Sequence, residues 1–162
     1  MTSLAYRKAI ESDASALSRL SRSALLPSTL PGWTPHAIQR LLEENSEVAL
    51  RDYLQSAAFA HVCCETGSLV GFITNKVPRL VSLLVVSPSY QRRGIGSQLI
   101  GVMLQHIARG APDVGVLEVN TTEYSLPFYR RLGFYPISDF IDYEGCRFAR
   151  MGFWRKNPLL RG

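Results

Sequence analysis

The chain has 162 residues, a length that suits one domain with a full hydrophobic core. Apolar residues make up 46% and charged residues 19%, which excludes a disordered protein, and no window approaches the roughly 20 apolar residues of a membrane span. The formal net charge of +5 favours acidic ligands such as nucleic acid, anionic lipid or a phosphorylated cofactor, without choosing among them. We expect one cytoplasmic domain over residues 1–162.

The first third of the chain predicts one strand followed by helices. A strand over Ala5–Lys8 leads into a segment with helical periodicity that Ser12 or Asp13 can cap. Two prolines then predict an interhelical loop over Leu26–Gly32. After it, Thr34 is followed by a proline, the pattern of an N-cap and a first helical residue.

The middle of the chain predicts the core of the sheet and one long helix. Residues Glu47–Gln55 stay ambiguous, but AAFAHVCC and LVGFITNK flank a turn with Gly67 and predict a hairpin. A third strand is expected over about Leu80–Val86. The helix that follows has an apolar stripe on one face, formed by Ile100, Met103, Leu104 and Ile107.

The last third predicts a strand, a short helix and two closing strands. VGVLEVN has a strand pattern, Ser125 is expected to cap a short helix LPFYRRL that ends at Gly133, and FYPI and CRFARMGFW complete the sheet. Basic and aromatic residues mix in RFARMGFWRK, as in some nucleic-acid-binding patches, but their alternation is more typical of a strand. The order of elements predicts a mixed α/β single domain.

The stretch SPSYQRRGIGSQL, Ser87–Leu99, ends the third strand and opens the long helix. Its glycines let the main chain approach a ligand closely, and the amides of a new helix carry a partial positive charge that suits a phosphate. The spacing matches neither the GxxxxGK[ST] loop nor the GxGxxG fingerprint. These residues alone are compatible with two interpretations, a plain strand-to-helix turn with solvated arginines and an anion site.

The wider pattern LxVxPxxQRRGIGxxL resembles the acetyl-CoA-binding signature of the GNAT family of N-acetyltransferases. RKAIESDASALSRL is similar to the family's first strand and helix, and LEVN with FYRRLGF to its fifth strand and following helix. The resemblance implies the GNAT fold, a mostly antiparallel twisted sheet of six to seven strands flanked by about four helices. It also implies that the strand binds the pantetheine arm of acetyl-CoA and the turn its pyrophosphate. The implied cofactor-binding residues are Leu84, Val85, Val86, Gln91, Arg92, Arg93, Gly94, Ile95, Gly96 and Ser97.

Two catalytic residues are implied by the same resemblance. Glu118 matches a strand position where the family often carries a glutamate that removes a proton from the amine, directly or through water. Tyr129 matches the tyrosine that protonates the departing thiolate in many relatives. A structural strand glutamate and a packed tyrosine stay open as alternatives. Many relatives carry a cofactor-contacting asparagine where this chain has TTEY, so no residue of that stretch is given the role.

The expected reaction is acetyl transfer from acetyl-CoA to a primary amine, with a non-catalytic acetyl-CoA-binding domain as the alternative. Acidic clusters in ISDFIDYEG and after the second helix favour a cationic small molecule, a peptide N-terminus or a lysine as acceptor, unless they are solvated turns. No nucleic acid or membrane is expected as a partner, and a homodimer is left open. The cysteines and histidines lack metal-binding spacing, so no metal is expected.

Overall fold

The strands and helices largely begin and end where local sequence signals predict. The computed structural model describes residues 3–29, 31–56, 59–111 and 113–154. In these ranges the strands are β1 Leu4–Lys8, β2 Phe59–Glu65, β3 Ser68–Asn75, β4 Leu80–Val81, β5 Leu83–Val86, β6 Val116–Thr121, β7 Tyr135–Pro136, β8 Ile141–Tyr143 and β9 Cys146–Trp154. The α-helices are α1 Ala14–Thr29, α2 Pro35–Glu44, α3 Glu47–Gln55, α4 Ile95–Gly110 and α5 Leu126–Arg131, and 3-10 turns cover Glu11–Asp13 and Pro88–Tyr90.

The strands form two sheets. The first has the order β1-β2-β3-β5 with every neighbour antiparallel. The second has the order β4-β6-β9-β7, with β8 on β9, and its β4–β6 pair is parallel. The expected mixed α/β, mostly antiparallel architecture is confirmed. The described residues contain nine strand segments, two of them only two residues long, and five α-helices.

Helices cover both faces of the first sheet, because consecutive residues of its central strands are apolar and so both faces are apolar. On β2, Cys63 is buried in a core that includes Leu99 and Met103 of α4. Its neighbours Val62 and Cys64 are buried in a second core that includes Leu17 of α1 and Leu50 of α3. The first core continues under the second sheet, which contributes the buried residues Val81, Leu117, Val119 and Met151.

The structure corrects one loop prediction, assigns one ambiguous segment and confirms Asp13 as a capping residue. The loop expected from Leu26 is wrong in its first half, because α1 continues to Thr29. Pro27 lies in the last turn, where it removes only one intrahelical hydrogen bond and the helix is about to end. The ambiguous segment is α3, capped by the Ser46 hydroxyl, which accepts from the Ala49 amide at 3.3 Å. At the start of α1, the Asp13 carboxylate caps by reaching back to the Ile10 amide at 2.8 Å.

The predicted hairpin is confirmed, with a turn at Thr66 and Gly67 that has left-handed φ angles of 48° and 81°. The predicted strand Leu80–Val86 divides into β4 and β5, which pair with different sheets. Strand β8 was not predicted, and the Ser125 side chain makes no capping hydrogen bond to α5. The first two residues of AAFAHVCC and the last two of RFARMGFWRK lie outside the described residues.

Candidate active site

The two sheets separate at Ser82, and the separation opens a gap between β5 and β6. Before it, β4 pairs with β6 in the register Leu80↔Glu118 and Val81↔Val119. At Ser82 the amide donates to the Thr74 carbonyl at 2.9 Å, so the chain has turned toward β3. From this point β5 pairs only with β3, and β6 pairs only with β9. The facing edges of β5 and β6 therefore carry main-chain groups without a strand partner.

The hydrogen-bond pattern of β5 identifies which of its residues face this gap. Ser87 lies just beyond the strand and donates its amide to the Val70 carbonyl at 2.8 Å. Antiparallel strands alternate, so the main-chain groups of Val85 face β3 and those of Leu84 and Val86 face the gap. The Val86 carbonyl instead accepts from Gln91 Nε2 at 3.2 Å. Of the three strand residues implied as cofactor ligands, Leu84 and Val86 line the gap, and the Val85 side chain is buried in the α1 core.

The turn after β5 brings several main-chain amides to the same place. Arg92 and Gly94 have left-handed φ values of 63° and 79°, and Gly94 is the N-cap of α4. The Gln98 amide makes a hydrogen bond within α4, to the Gly94 carbonyl at 3.0 Å, so the earlier amides of the helix have no intrahelical partner. These amides and the helix dipole favour an anion at this end of α4.

A cleft of about 650 Å³ joins the gap to this turn. Its far wall is α5 and the segment before it. The lining residues are Leu84, Val86, Tyr90, Gln91, Arg92, Gly94, Ile95, Gly96, Ser97, Tyr124, Ser125, Pro127, Phe128, Tyr129, Arg131 and Leu132. The structure thus brings together eight of the ten implied cofactor residues, and leaves out Val85 and Arg93.

The two glycines of the turn differ in what surrounds them. A Cβ at Gly96 would lie 3.0 Å from Phe128 of α5, so this glycine allows the two helices to approach closely. A Cβ at Gly94 would meet no atom within 4 Å, and only its φ of 79° disfavours a side chain. The space beside Gly94 is therefore open in the cleft.

The two arginines of the turn also differ. Arg92 lines the cleft, whereas the guanidinium of Arg93 bonds to the Glu65 carboxylate of β2 at 2.9 Å. The pKa of Arg93 is raised, first by this hydrogen bond. Its positive charge is already balanced by a carboxylate.

Tyr129 lines the cleft from α5 and is only 5% exposed. Its ring packs edge-on against Phe128 and Phe134, with centroid distances of 5.0 and 5.2 Å. Burial raises the pKa of its hydroxyl, and no hydrogen bond or charge contributes to that shift. The phenol is therefore protonated at neutral pH and has a proton to donate.

Glu118 lies on the opposite face of the second sheet. Its neighbours Leu117 and Val119 point into the α4 core, so the Glu118 side chain points away from it. The side chain is 14% exposed, and a carboxylate oxygen lies 3.5 Å from Nη1 of Arg150. Arg150 also donates through Nε to Asn120 at 3.1 Å. Glu118 is absent from the cleft lining and is beside the closed end of the gap, level with Leu80.

Several cleft residues have no role among the sequence-based predictions. The exposed Tyr124 donates from its hydroxyl to Gln91 Oε1 at 3.3 Å and so bridges the two walls of the cleft. Tyr90 and Phe128 add aromatic walls. Tyr124 belongs to TTEY, the stretch that departs from the GNAT pattern. That departure was the signal in the sequence that could have pointed to Tyr124 as a cleft residue.

Residues 3–29, 31–56, 59–111 and 113–154 contain neither a membrane-spanning helix nor a metal-binding cluster. No helix in them is long and apolar enough to cross a bilayer. The same residues contain no group of three or more His, Cys, Asp or Glu side chains able to hold a metal ion.

Solved structures with this fold include many N-acetyltransferases. A GCN5-related N-acetyltransferase from Rhodopseudomonas palustris aligns with a TM-score of 0.77 and 21% identity, over 95% of this chain and 97% of its own. The PaiA N-acetyltransferase from Thermoplasma acidophilum, solved in complex with coenzyme A, aligns at 0.75 and 18%, over 94% and 99%. The ribosomal-protein-S18-alanine N-acetyltransferase from Escherichia coli aligns at 0.67 and 16%, over 94% of each chain. Below 25% identity these likenesses establish the fold.

Sequence comparison identifies the family. The model of the acetyltransferase (GNAT) domain matches residues 29–153. This range contains the split strands, the turn and α5, and the chain belongs to the GNAT acetyltransferase family. No curated protein sequence matches the chain.

Proposed function

We propose that this protein is a single-domain N-acetyltransferase that moves the acetyl group of acetyl-CoA to a primary amine. The observation that carries the proposal is the cleft, in which main-chain groups of β5 without a strand partner, the amides that open α4 and a protonated tyrosine line one space. The related fold of the Thermoplasma acidophilum enzyme binds coenzyme A. The cleft volume of about 650 Å³ falls within the range of small-molecule sites.

The cofactor would contact mainly the backbone. The pyrophosphate suits the amides of residues 91–97, where the positive end of the α4 dipole and Arg92 add favourable charge. The pantetheine arm suits the gap. There it would bind the main chain of Leu84 and Val86 as an additional strand does at the edge of a sheet. An amide there can also stabilise negative charge on the thioester oxygen during attack.

The proposed reaction is direct transfer. The amine nitrogen attacks the thioester carbonyl carbon, the carbon–sulfur bond breaks, and the thiolate takes a proton from the Tyr129 hydroxyl. Before the attack, the ammonium form of the amine gives one proton to Glu118, directly or through water; after it, the nitrogen loses a second proton, which through water replaces the proton that Tyr129 has donated. Alkyl amines titrate near about 10.4, so a base is needed at neutral pH. Glu118 would act from the side opposite α4, and an arriving cationic amine would have to share its carboxylate with Arg150.

The acceptor is proposed to approach over the face that carries Glu118. The acids that suggested a cationic small molecule or peptide amine have arginine neighbours. Asp142 bonds to Arg147 at 3.2 Å, and Glu144 lies 3.8 Å from Arg40. These pairs are largely exposed, so they are easily exchanged. A cationic acceptor would therefore be attracted weakly rather than strongly.

A non-catalytic acetyl-CoA-binding domain is the second candidate. One observation favours it: Glu118 does not line the cleft and is already paired with Arg150. A domain with a cofactor cleft and no free base would bind acetyl-CoA without turnover.

A panel of amines assayed for release of the coenzyme A thiol tests the proposal. The panel should hold small cationic amines, a neutral amine, amino acids and short peptides, with amine-free reactions as the control. Acetyl-CoA affinity should be measured by calorimetry in parallel. Amine-dependent thiol release supports the enzyme. Tight acetyl-CoA binding with no release above the amine-free rate supports the binding domain, and absence of acetyl-CoA binding contradicts both.

A further inference from the structure

The residue between the two left-handed positions of the turn is anchored outside the cleft. Arg93 follows Arg92 (φ 63°) and precedes Gly94 (φ 79°). A non-glycine residue with positive φ is disfavoured, so Arg92 keeps this conformation only if contacts around it hold the chain. The contact available at this point is the guanidinium of Arg93 on the Glu65 carboxylate, at 2.9 Å.

Glu65 is an unusual residue for the end of a strand because it is a buried acid. It is the last residue of β2, pairs across to Leu4 and Ser68, and its side chain is 11% exposed. A buried carboxylate without a cation is costly, so this pair resists separation. The first sheet therefore fixes the position of Arg93, and with it the main chain on both sides.

Tyr90 is the third member of this arrangement. Its ring lies 4.9 Å below the Arg93 guanidinium, and its pKa is raised chiefly by a hydrogen bond to Glu65. Tyr90 also lines the cleft, at the end of the 3-10 turn that precedes Gln91. Glu65 thus contacts the turn through residues on both sides of Gln91 and Arg92.

We propose that Glu65 is a positioning residue for cofactor binding: through Arg93 and Tyr90 it holds the turn so that its amides face the pyrophosphate of acetyl-CoA. The inference rests on the proposed function. It gives Arg93 a different task from Arg92, since Arg92 adds charge inside the cleft and Arg93 transmits the position of the sheet.

The alternative is that Arg93 acts on the phosphates by its own charge. The two ideas predict opposite signs for Glu65→Gln. If Arg93 acts by charge, the neutral glutamine removes a nearby negative charge and releases the arginine, so acetyl-CoA binds more tightly. If Glu65 positions the turn, the same change loosens the amides, and acetyl-CoA binds more weakly.

The experiment measures kcat, KM for acetyl-CoA and the calorimetric Kd for Glu65→Gln. We expect KM and Kd to rise about tenfold with kcat within about twofold, because a charged hydrogen bond is weakened far from the reacting atoms. Lower KM or Kd, an unchanged Kd, or a fall in kcat alone would overturn the proposal.

Asp13→Asn is a matched control, because Asp13 and Arg7 form a pair of almost the same kind. Their atoms lie 2.7 Å apart and their side chains are 11% and 45% exposed, against 2.9 Å, 11% and 42% for Glu65 and Arg93. Both variants should lower the melting temperature. Only Glu65→Gln should change KM for acetyl-CoA, and an equal change in Asp13→Asn would reduce the effect to general destabilisation and overturn the proposal.

A double-mutant cycle with Arg93→Gln gives a second readout. If both residues act through one contact, the Glu65→Gln/Arg93→Gln variant binds acetyl-CoA no more weakly than the worse single variant. Effects that add independently contradict the proposal. Wild-type binding of acetyl-CoA is measured first, so failure of the proposed function is seen before any variant is compared.

Discussion

The two sides of the split sheet bind charge in different ways. On the side of α4, the polar groups are main-chain amides from neighbouring positions of one turn, and Gly94 and Arg92 hold them in left-handed geometry. On the side of α2, the polar groups are side chains from distant positions, such as Glu118 with Arg150 and Arg40 with Glu144. The first set is fixed by the backbone, and the second depends on side-chain ion pairs, of which the Arg40–Glu144 pair is exposed and easily exchanged.

This difference has an energetic consequence. Main-chain dipoles held by strand, turn and helix lose little entropy when a ligand arrives, so they form a preorganised anion site. Half-exposed side-chain pairs contribute little each and can be replaced by a ligand's own charges. We therefore expect large effects from changes to the turn and small effects from changes to the acidic rim.

The largest expected effect is that of Gly94→Glu. The open space beside Gly94 would receive a carboxylate in the proposed pyrophosphate site, where this negative charge would occupy the amides and repel the phosphates. Acetyl-CoA affinity should fall at least about 100-fold by calorimetry.

Gly101→Ala is the control for Gly94→Glu. Gly101 lies in the same helix with nothing within 4 Å of an added Cβ. It should leave affinity unchanged and stabilise the protein by about 0.5–1 kcal/mol. Unchanged affinity in a folded Gly94→Glu protein would remove the cofactor from this turn.

Tyr129→Phe should lower kcat by about 100-fold with little change in KM for acetyl-CoA, because a leaving-group acid acts in the transition state. Its pKa is raised by burial, so the active, protonated form should persist beyond pH 10, where an ordinary tyrosine is half ionised. The rate should therefore show no decline attributable to Tyr129 up to about pH 10. Unaltered turnover in the phenylalanine variant would exclude the role.

Asp13→Asn should cost about 2 kcal/mol of unfolding free energy, since it removes the negative charge that pairs with Arg7 and leaves one amide oxygen for the Arg7 and Ile10 donors that two carboxylate oxygens now serve. The hydrogen bond from Arg7 lowers the pKa of Asp13. Its contribution is therefore fully present above the unfolded pKa of about 3.9 and is lost as pH falls through the lower folded value. Denaturant titrations at pH 7 and below pH 4 should show the difference between wild type and variant shrinking with acid, and a constant difference would contradict it.

Glu118→Gln should lower kcat/KM by about tenfold near pH 7 and by less as pH rises toward the pKa of the acceptor amine. At high pH the free amine needs no base, so recovery there is specific to proton removal. A rate loss independent of pH would assign Glu118 a structural role beside Arg150.

Sequence predicted the geometry of the α4 side well, because that geometry depends on the backbone. Glycines, a proline and a strand pattern lie within sixteen residues of one another in LLVVSPSYQRRGIGSQ, and backbone conformation is what such local signals encode. What sequence missed was that the two arginines make different contacts, Arg92 lining the cleft and Arg93 pairing with Glu65. Arg92 and Arg93 are neighbours in the chain, and only the position of Glu65, 28 residues away, separates their roles.

The other side was less predictable because it depends on contacts between distant residues. The acids in ISDFIDYEG were visible, but their arginine partners were not, since Arg40 lies in α2 and Arg147 in β9. The contact between the β8–β9 hairpin and the start of α2 could not be predicted from sequence either. The Thr34 amide donates to the Gly145 carbonyl at 2.9 Å, and the Trp33 indole donates to the Arg147 carbonyl at 3.0 Å. Pairing of this kind is decided by tertiary structure.

The smallest expected effect is that of Asp142→Asn on a cationic acceptor. Asp142 is 70% exposed and shares Arg147 with Glu123, so its loss leaves Arg147 one partner and adds one unit of positive charge to the rim. In water-exposed surroundings that charge should raise the acceptor KM only about twofold to threefold, with kcat nearly constant, and the difference should disappear in high salt.

Asp113→Asn, at an exposed position after α4, should change nothing and controls for net charge. A KM increase above about tenfold would mean that Asp142 contacts the acceptor directly. A preferred acceptor that is anionic, or a KM that ignores both salt and the substitution, would remove the acidic rim from acceptor binding and leave the cofactor cleft as proposed.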